Sequence, residues 1–141
     1  MRIIKLSKHK EFPTRHDLEN YFNSILLERE IVGRFNLTPK KIRKTGKQAL
    51  FRGEMLLFTW DTELVRIGRS ASEQIYTDGS EKYPSYFVLD MNSVKVPKRL
   101  LYQSDLDISL SGILSRKIVT GSQGFNWIEE IEEVEDWFDT L

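Results

Sequence analysis

The stretch GEMLLFTWDTELVRIGRS, residues 53–70, decides the fold class. Within it, residues 54–60 are largely apolar in both alternating sets of side chains, which predicts a strand buried on both faces. Asp61 and Thr62 then predict a tight turn, and residues 63–69 predict the return strand of a β-hairpin. Strict alternation along the return strand places Val65 and Ile67 on one face, and Leu64, Arg66 and Gly68 on the other.

The residues before this hairpin predict one strand and one helix. Residues 2–6 have the short apolar pattern of a strand. Thr14, followed three residues later by Asp17, is the pattern of a helix capping box. Apolar residues then recur at helical spacing from Leu18 onward, and we expect Gly33 to end the helix.

The residues after the hairpin predict further short strands and a final helix. The predicted strands cover residues 74–77, 86–91 with an extension over 93–96, and 117–120, and Asp78 with Gly79 predicts a turn. Asn126, with Glu129 three residues later, predicts the start of a helix that runs to the C-terminal residues. Residues 100–114 leave the choice of element open.

These elements predict the fold class. A chain of 141 residues with 40% apolar content has the size and composition of one domain, so we expect residues 1–141 to form a single domain. Short strands with a helix at one end predict an α+β fold. We expect a small curved mixed β-sheet or pseudo-barrel with an N-terminal helix and an acidic C-terminal helix.

Composition excludes several classes of protein. The chain has no cysteine, which rules out a disulfide framework and a cysteine-based zinc site. Charges interrupt every apolar run near the N-terminus, and no run reaches the ~18 residues of a membrane span. We therefore expect a cytoplasmic protein with no membrane partner. Glycine-rich phosphate loops are also absent, and no cofactor is expected.

Catalytic patterns are weak, so a binding protein is favoured over an enzyme, and we predict no catalytic residue and no metal ligand. His9 and His16 lie seven residues apart and have no partner pattern for a metal site or a catalytic triad. A metal-dependent nuclease is a lesser alternative, although Ser93 stands where the common nuclease core carries an acid. The carboxylates available to such a site are Asp61, Glu63, Asp78 and Asp90, with Lys95 near the last.

The net charge of zero conceals a gradient along the chain. Residues 1–60 contain 13 Lys and Arg against 6 Asp and Glu, whereas residues 129–141 contain 7 acids and no base. The strongest basic run is PKKIRKTGK, residues 39–47. One interpretation is that the two ends pair or are merely solvated. The other is that the basic run binds an anion such as the phosphates of a nucleic acid.

The order of these features resembles the PUA-like superfamily, which includes the small pseudo-barrels of the EVE and ASCH domains. The resemblance covers residues 46–91, with the GEMLLFTW strand, the tight turn, the ELVRIGRS return and the later YFVLD strand. The ASCH motif Gly-x-Lys-x-x-Glu-x-Arg is met by Gly46, Lys47 and Arg52 only, with the lysine shifted by one position and the glutamate lacking. This departure puts any ribonuclease activity in doubt.

The resemblance implies binding of RNA, or of DNA with a modified base, in a cleft lined by aromatic and basic groups. Aromatic rings stack on bases of any sequence, and basic groups hold the phosphates. The residues expected to hold phosphates are Lys40, Lys41, Arg43, Lys44 and Lys47. Those expected to meet a base are Arg66 and Arg69 with Trp60, Tyr83 and Trp127, and Tyr76 and Tyr86 are further stacking candidates.

Each aromatic candidate also has a structural alternative, and for Trp60 that alternative is the core, because it ends a buried strand. The alternative function is a protein-interaction or regulatory role in which the acidic C-terminal helix binds a basic protein. In that case, charge reversal at Glu130, Glu133 and Asp136 would abolish binding of the partner.

Overall fold

The computed structural model describes residues 1–37, 46–78, 82–121 and 125–141. The strands are β1 Arg2–Leu6, β2 Arg34–Leu37, β3 Met55–Trp60, β4 Glu63–Ser70, β5 Tyr76–Thr77, β6 Ser85–Lys95 and β7 Phe125–Trp127. They form a mixed sheet that curls into a half-barrel, in the order β2-β6-β4-β3-β1-β7, with β5 paired to β6. Strands β1 and β3 are parallel, and the other pairs are antiparallel.

The central hairpin agrees with its prediction except in one respect. All six residues of β3 are buried, and the turn residues Asp61 and Thr62 have φ values of 49° and 66°, as a tight hairpin turn requires. The pairing of β3 with β4 slips, however, because Phe58 lies opposite Arg66 and Thr59 lies opposite Leu64. Val65 is the extra residue of this β-bulge, so the strict alternation predicted for β4 is wrong from that point.

The first helix begins as predicted and ends earlier. The Thr14 hydroxyl accepts a hydrogen bond from the Asp17 N–H at 3.2 Å, and the Asp17 carboxylate accepts one from the Thr14 N–H at 3.2 Å, which confirms the capping box. Three segments make up the helix, namely α1 Arg15–Asn20, a π-helical turn Tyr21–Ile25 and α2 Leu26–Glu28. The helix therefore ends at Glu28 and not at Gly33.

Gly33 marks a close approach of two backbones instead. It has a φ of +83°, and its N–H donates a hydrogen bond to the Leu26 carbonyl at 2.9 Å. A Cβ at this position would lie 2.1 Å from the Leu89 carbonyl oxygen in β6. The glycine therefore brings the end of the first helix directly against the sheet, and β2, which the sequence analysis did not predict, begins at the next residue.

The C-terminal part of the chain differs most from the predictions. Residues 103–114, whose element was left open, form helix α3 Gln103–Leu114. No strand forms over residues 117–120. Asn126 lies in β7, opposite Ile3 of β1, and does not cap a helix; the final helix α4 is Glu132–Asp139, with Ile131 at its N-cap. Asn126 and Trp127, which the local pattern assigned to the start of the helix, therefore belong to an edge strand of the sheet.

Two apolar cores lie on the two faces of the sheet. The first core joins Leu18, Phe22 and Leu26 of the first helix to side chains of β1, β2, β3 and β6, among them Phe58 and Phe87. The second core packs Leu106 and Leu110 of α3, with Val134 and Phe138 of α4, against Met55 and other residues of β1, β3 and β4. Among the described residues, no helix is long and apolar enough to cross a membrane.

Candidate nucleic-acid interface

Two adjoining grooves lie beside a run of exposed basic and apolar residues. This run, residues 95–100 with the sequence KVPKRL, is called the basic strip. The first groove, of about 270 Å³, lies between the basic strip, the start of β4 and α1, and is called the hairpin groove. The second, of about 350 Å³, lies between the first helix and the end of β6, and is called the helix groove. Arg66 and Val96 line both grooves, which makes them neighbours.

The basic strip combines free charge with exposed apolar surface. Lys95, Lys98 and Arg99 are exposed, and none of them forms an ion pair with an acid in the described part of the chain. Between and after them, Val96 and Leu100 are 62% and 61% exposed. Such a surface suits a ligand that combines negative charge with apolar parts.

Arg66 lies at the junction of the two grooves because of the bulge at Val65. The side chain is only 4% exposed, and its guanidinium carbon lies 5.3 Å from the centre of the Phe22 ring. Its Nη1 donates to the Val65 carbonyl at 2.8 Å, and its Nη2 donates to the Glu19 carboxylate. Arginine carries its charge at all physiological pH values, so the junction holds a fixed cation under the surface.

An ion-pair network connects Arg66 to the rim of the hairpin groove. Glu19 accepts from Arg66 and lies 3.9 Å from Arg15, one helical turn earlier. Arg15 also pairs with Glu63 at the start of β4, and this hydrogen bond raises the pKa of Arg15 above its usual value. Two arginines and two glutamates therefore balance, and the three cations of the basic strip remain as surplus positive charge.

Two irregular backbone segments face each other across the helix groove. One is the π-helical turn Tyr21–Ile25, which contributes Phe22 and Asn23 to the lining. The other is a bulge in β6, where Ile67 lies opposite Lys95 while Arg69 lies opposite Asp90. Between these two pairs, β6 has the four residues Met91–Val94 and β4 has only Gly68. Both π-turns and β-bulges are frequent beside functional sites, because they redirect side chains that a regular element would place elsewhere.

Trp60 and Arg69, both predicted to contact a base, have structural partners instead. The Trp60 ring is 6% exposed in the first core, and its indole N–H donates to the Phe12 carbonyl at 2.7 Å, which is the position that the core alternative describes. Arg69 lies on the opposite face of β4, with its guanidinium 5.3 Å from the Phe138 ring and 4.0 Å from the Glu135 carboxylate. Arg69 therefore lines neither the hairpin groove nor the helix groove.

The remaining predicted residues do not form one cleft. Tyr83 lines a separate pocket of about 130 Å³ with Tyr21 and Arg29, and Trp127 is half-buried in β7 opposite Arg2. Tyr76 and Tyr86 form a ring pair at 5.4 Å between β5 and β6. A backbone N–H hydrogen bond and the Arg116 guanidinium lower the pKa of Glu129, and the exposed Lys47 lowers it further, so Lys47 lies near the acidic C-terminal segment. Four predicted phosphate contacts lie outside the described residues, namely Lys40, Lys41, Arg43 and Lys44.

Sequence reasoning missed the basic strip and Asn23. The sequence analysis placed Lys95 and Val96 in the extension of a predicted strand over residues 93–96, and it named Lys95 beside Asp90 in the nuclease alternative. The three cations in five residues, Lys95 to Arg99, were nevertheless a visible signal. Asn23 had no signal, because a π-helical turn is not encoded by a local pattern that helical periodicity can detect.

A buried ionic cluster lies where β1 and β3 begin. Arg2 Nε is 2.7 Å from Glu54 Oε2, and both side chains are fully buried. In the described residues, Arg2 Nη1 and Glu54 Oε1 have no hydrogen-bond partner. Burial raises the pKa of Glu54 to about 7, although Arg2 and the N-terminal amine oppose this shift. The amine of Met1 donates to Glu130 at 3.0 Å, and Glu130 also accepts from the Met55 N–H at 3.2 Å.

In the described part of the chain, no three His, Asp or Glu side chains lie close enough together to hold a metal ion. Asp61 and Glu63, two of the carboxylates considered for a nuclease, form ion pairs with Lys8 and Arg15, respectively.

A further open groove, of about 420 Å³, lies at the carboxyl ends of β1 and β3 and is lined by His9 together with Lys5 and Lys8.

Comparison with known proteins gives no relative. No protein-family model, curated protein or solved structure matches the chain.

Proposed function

We propose that this protein is a nucleic-acid-binding module whose phosphate-binding surface is the basic strip. The observation that carries the proposal is the surplus charge of Lys95, Lys98 and Arg99, which are exposed beside two grooves and have no ion pair with a described acid. Cations that approach phosphates release counterions from the nucleic acid, and this release supplies sequence-independent affinity. The resemblance of residues 46–91 to the PUA-like superfamily supports the same class of ligand.

The distribution of charge over the sheet also favours this surface. The acids of the C-terminal segment lie near the start of β3, where Glu130 contacts the Met55 N–H. The basic strip borders Leu64 and Val65, next to the far end of β3. Six residues of strand separate the two ends by roughly 20 Å, about two Debye lengths at physiological ionic strength. The acidic segment therefore leaves the field at the basic strip largely unopposed.

The test is a salt titration of binding. Fluorescence anisotropy would be recorded with labelled single-stranded RNA, single-stranded DNA and duplex DNA, for the wild type and for the variant Lys95→Gln, Lys98→Gln, Arg99→Gln. Removing three phosphate contacts should lower the slope of log K against log salt by about 2 on a single strand. The absence of binding to all three ligands at low salt would overturn the proposal.

A matched variant separates a local effect from one of net charge. Arg52, Lys82 and Lys117 are exposed and lie outside both grooves, so their replacement by Gln removes the same charge elsewhere. We expect this control to keep nearly the wild-type slope. A third variant, with Lys40, Lys41, Lys44 and Lys47 changed to Glu, tests the run that the sequence favoured. A loss confined to that variant would assign the phosphate contacts to residues 39–47 and not to the basic strip.

A second candidate function is binding of a basic protein through the exposed side of α4. The observation in its favour is that Val134 and Phe138 are buried against the sheet while the acids of α4 are exposed, namely Glu132, Glu133, Glu135, Asp136 and Asp139. Glu130 is unsuitable for the test, because it holds the Met1 amine and the Met55 N–H. Charge reversal at Glu132, Glu133 and Asp136 should therefore abolish binding of such a partner and leave nucleic-acid binding intact.

A further inference from the structure

The helix groove has a composition different from that of the basic strip that borders it. Its walls are apolar, with Leu27 and Val96 partly exposed and Met91 and Val94 half-buried. Its polar groups are few and lie at defined places: Asn23 on the π-helical turn, and the cations of Arg66 and Lys95. Specific ligand sites combine mostly apolar walls with a few placed polar groups in this way.

We propose that the helix groove binds one unpaired nucleobase of a single-stranded nucleic acid, and that Asn23 contacts the edge of that base. This inference rests on the proposed function, since the basic strip would hold the phosphates that flank the bound base. A base inside a duplex presents its flat faces to its neighbours and not to a protein groove, so the site requires an unpaired or extruded base.

Charge complementarity favours a nucleotide over an uncharged apolar occupant. Lys95 and the buried Arg66 line the helix groove, and Arg66 also lines the hairpin groove, where Lys98 and Arg99 continue the line of cations. A base between the apolar walls would therefore have its own phosphate near Lys95, and the next phosphate near Lys98 or Arg99, since the charge of Arg66 is already paired with Glu19. Apolar and cationic side chains thus adjoin each other on this surface, as they do on protein surfaces that bind the bases and the backbone of single strands.

Asn23 has the chemistry needed to distinguish bases. Its side chain is exposed, and no described residue forms a hydrogen bond with its amide. One carbonyl oxygen and one NH₂ group together match the adjacent acceptor and donor of adenine N7 and N6, the pairing that Asn commonly forms with adenine. We therefore expect a preference for adenine over thymine or uracil.

The test compares three single strands of equal length, namely oligo(dA), oligo(dT) and an abasic strand with the same number of phosphates, together with oligo(A) and oligo(U). The wild type should bind the adenine strands most tightly and the abasic strand least. Asn23→Ala should reduce the ratio of affinities for oligo(dA) and oligo(dT) by about 5- to 150-fold, the range expected from one bidentate contact. The salt slope should stay unchanged, because no phosphate contact is removed.

Asn92→Ala is the matched control, because Asn92 is exposed on the β6 bulge and does not line the helix groove. This variant should keep the wild-type preference. Equal affinity of the wild type for oligo(dA) and the abasic strand, with a normal salt slope, would overturn the base site while leaving the proposed function intact. An unchanged base preference in Asn23→Ala would likewise overturn the role of Asn23. If no strand binds at low salt, both the proposed function and the base site are wrong.

Discussion

The buried pair Arg2 and Glu54 predicts an unusual dependence of stability on pH. Glu54 is fully buried in the folded protein, and burial raises its pKa from 4.5 to about 7. The folded state therefore holds the proton of Glu54 more tightly than the unfolded state does. The stability due to this group is fully present below pH 4.5 and is lost as the pH rises through 7.

The size of the effect follows from the shift. The pKa moves by about 2.5 units, and each unit corresponds to about 1.4 kcal/mol, so the free energy of unfolding should fall by about 3 kcal/mol between pH 4 and pH 8. The variant Glu54→Gln resembles the protonated carboxyl and does not titrate. We expect its stability to approach that of the wild type at pH 4 and to exceed it by about 3 kcal/mol at pH 8.

Other groups titrate in the same range and must be separated from Glu54. Burial lowers the pKa of the Met1 amine below 8.0, so this group favours the folded state as the pH rises. The amine is present in both proteins, but Glu54 raises its pKa by Coulombic attraction, so the difference between the two proteins reports Glu54 together with its coupling to the amine. Urea denaturation at intervals of half a pH unit from 4 to 8 gives this difference directly. Glu73→Gln is the control, because Glu73 is exposed and pairs only at the surface with Arg52.

The opposite sign of the difference would refute this reasoning. If Arg2 lowered the pKa of Glu54 in the folded state, the wild type would gain stability over Glu54→Gln as the pH rises. Coulombic attraction at 2.7 Å would then outweigh desolvation at this site. Curves that stay parallel for the two proteins would mean that Glu54 has the same pKa in both states, because attraction to Arg2 offsets desolvation, and this would equally refute the predicted shift.

Two further changes test the backbone around the first helix, each by urea denaturation. Gly33→Ala should destabilise the protein by about 2 kcal/mol or more beyond the loss in Gly53→Ala. Both glycines have φ near +85°, but only a Cβ at Gly33 would meet the Leu89 carbonyl oxygen. Equal losses in the two variants would mean that the backbones at Gly33 and Leu89 are not in contact. Thr14→Ala should cost about 1 kcal/mol through loss of the helix cap, and Thr14→Ser should restore most of it; no loss in the alanine variant would show that the capping box contributes nothing to stability.

The hairpin could be predicted because its pattern is local. Burial of every residue of β3 and the positive φ values of Asp61 and Thr62 follow from the apolar run and from the turn residues beside it. The orientation of Arg66 could not be predicted in the same way. One bulged residue, Val65, changes which side chains point to which core, and a period-2 pattern contains no sign of such a slip.

The C-terminal residues were mispredicted for a related reason. Asn126 and Glu129 satisfy the local pattern of a helix start, but pairing of residues 125–127 with β1 takes Asn126 into the sheet. Tertiary pairing of this kind overrides local propensity. In α3, by contrast, the four-residue spacing of Leu106 and Leu110 was visible in the sequence, and both are fully buried. The residue at the N-cap of α3 is Tyr102, which is not one of the usual N-cap residues, so the local pattern did not mark the start of a helix there.

The position of β1 in the sheet has a consequence for folding. It lies between β3 and β7, and its residue Ile3 pairs with both Leu57 and Asn126. The first strand of the chain therefore cannot complete its pairing until almost all other described residues have been synthesised. Such distant pairing gives a high contact order and slow folding. During synthesis, one edge of β1 should remain unpaired until β7 has emerged from the ribosome. Before that point the exposed edge can pair with another chain, and chaperone binding to the nascent chain would prevent this aggregation.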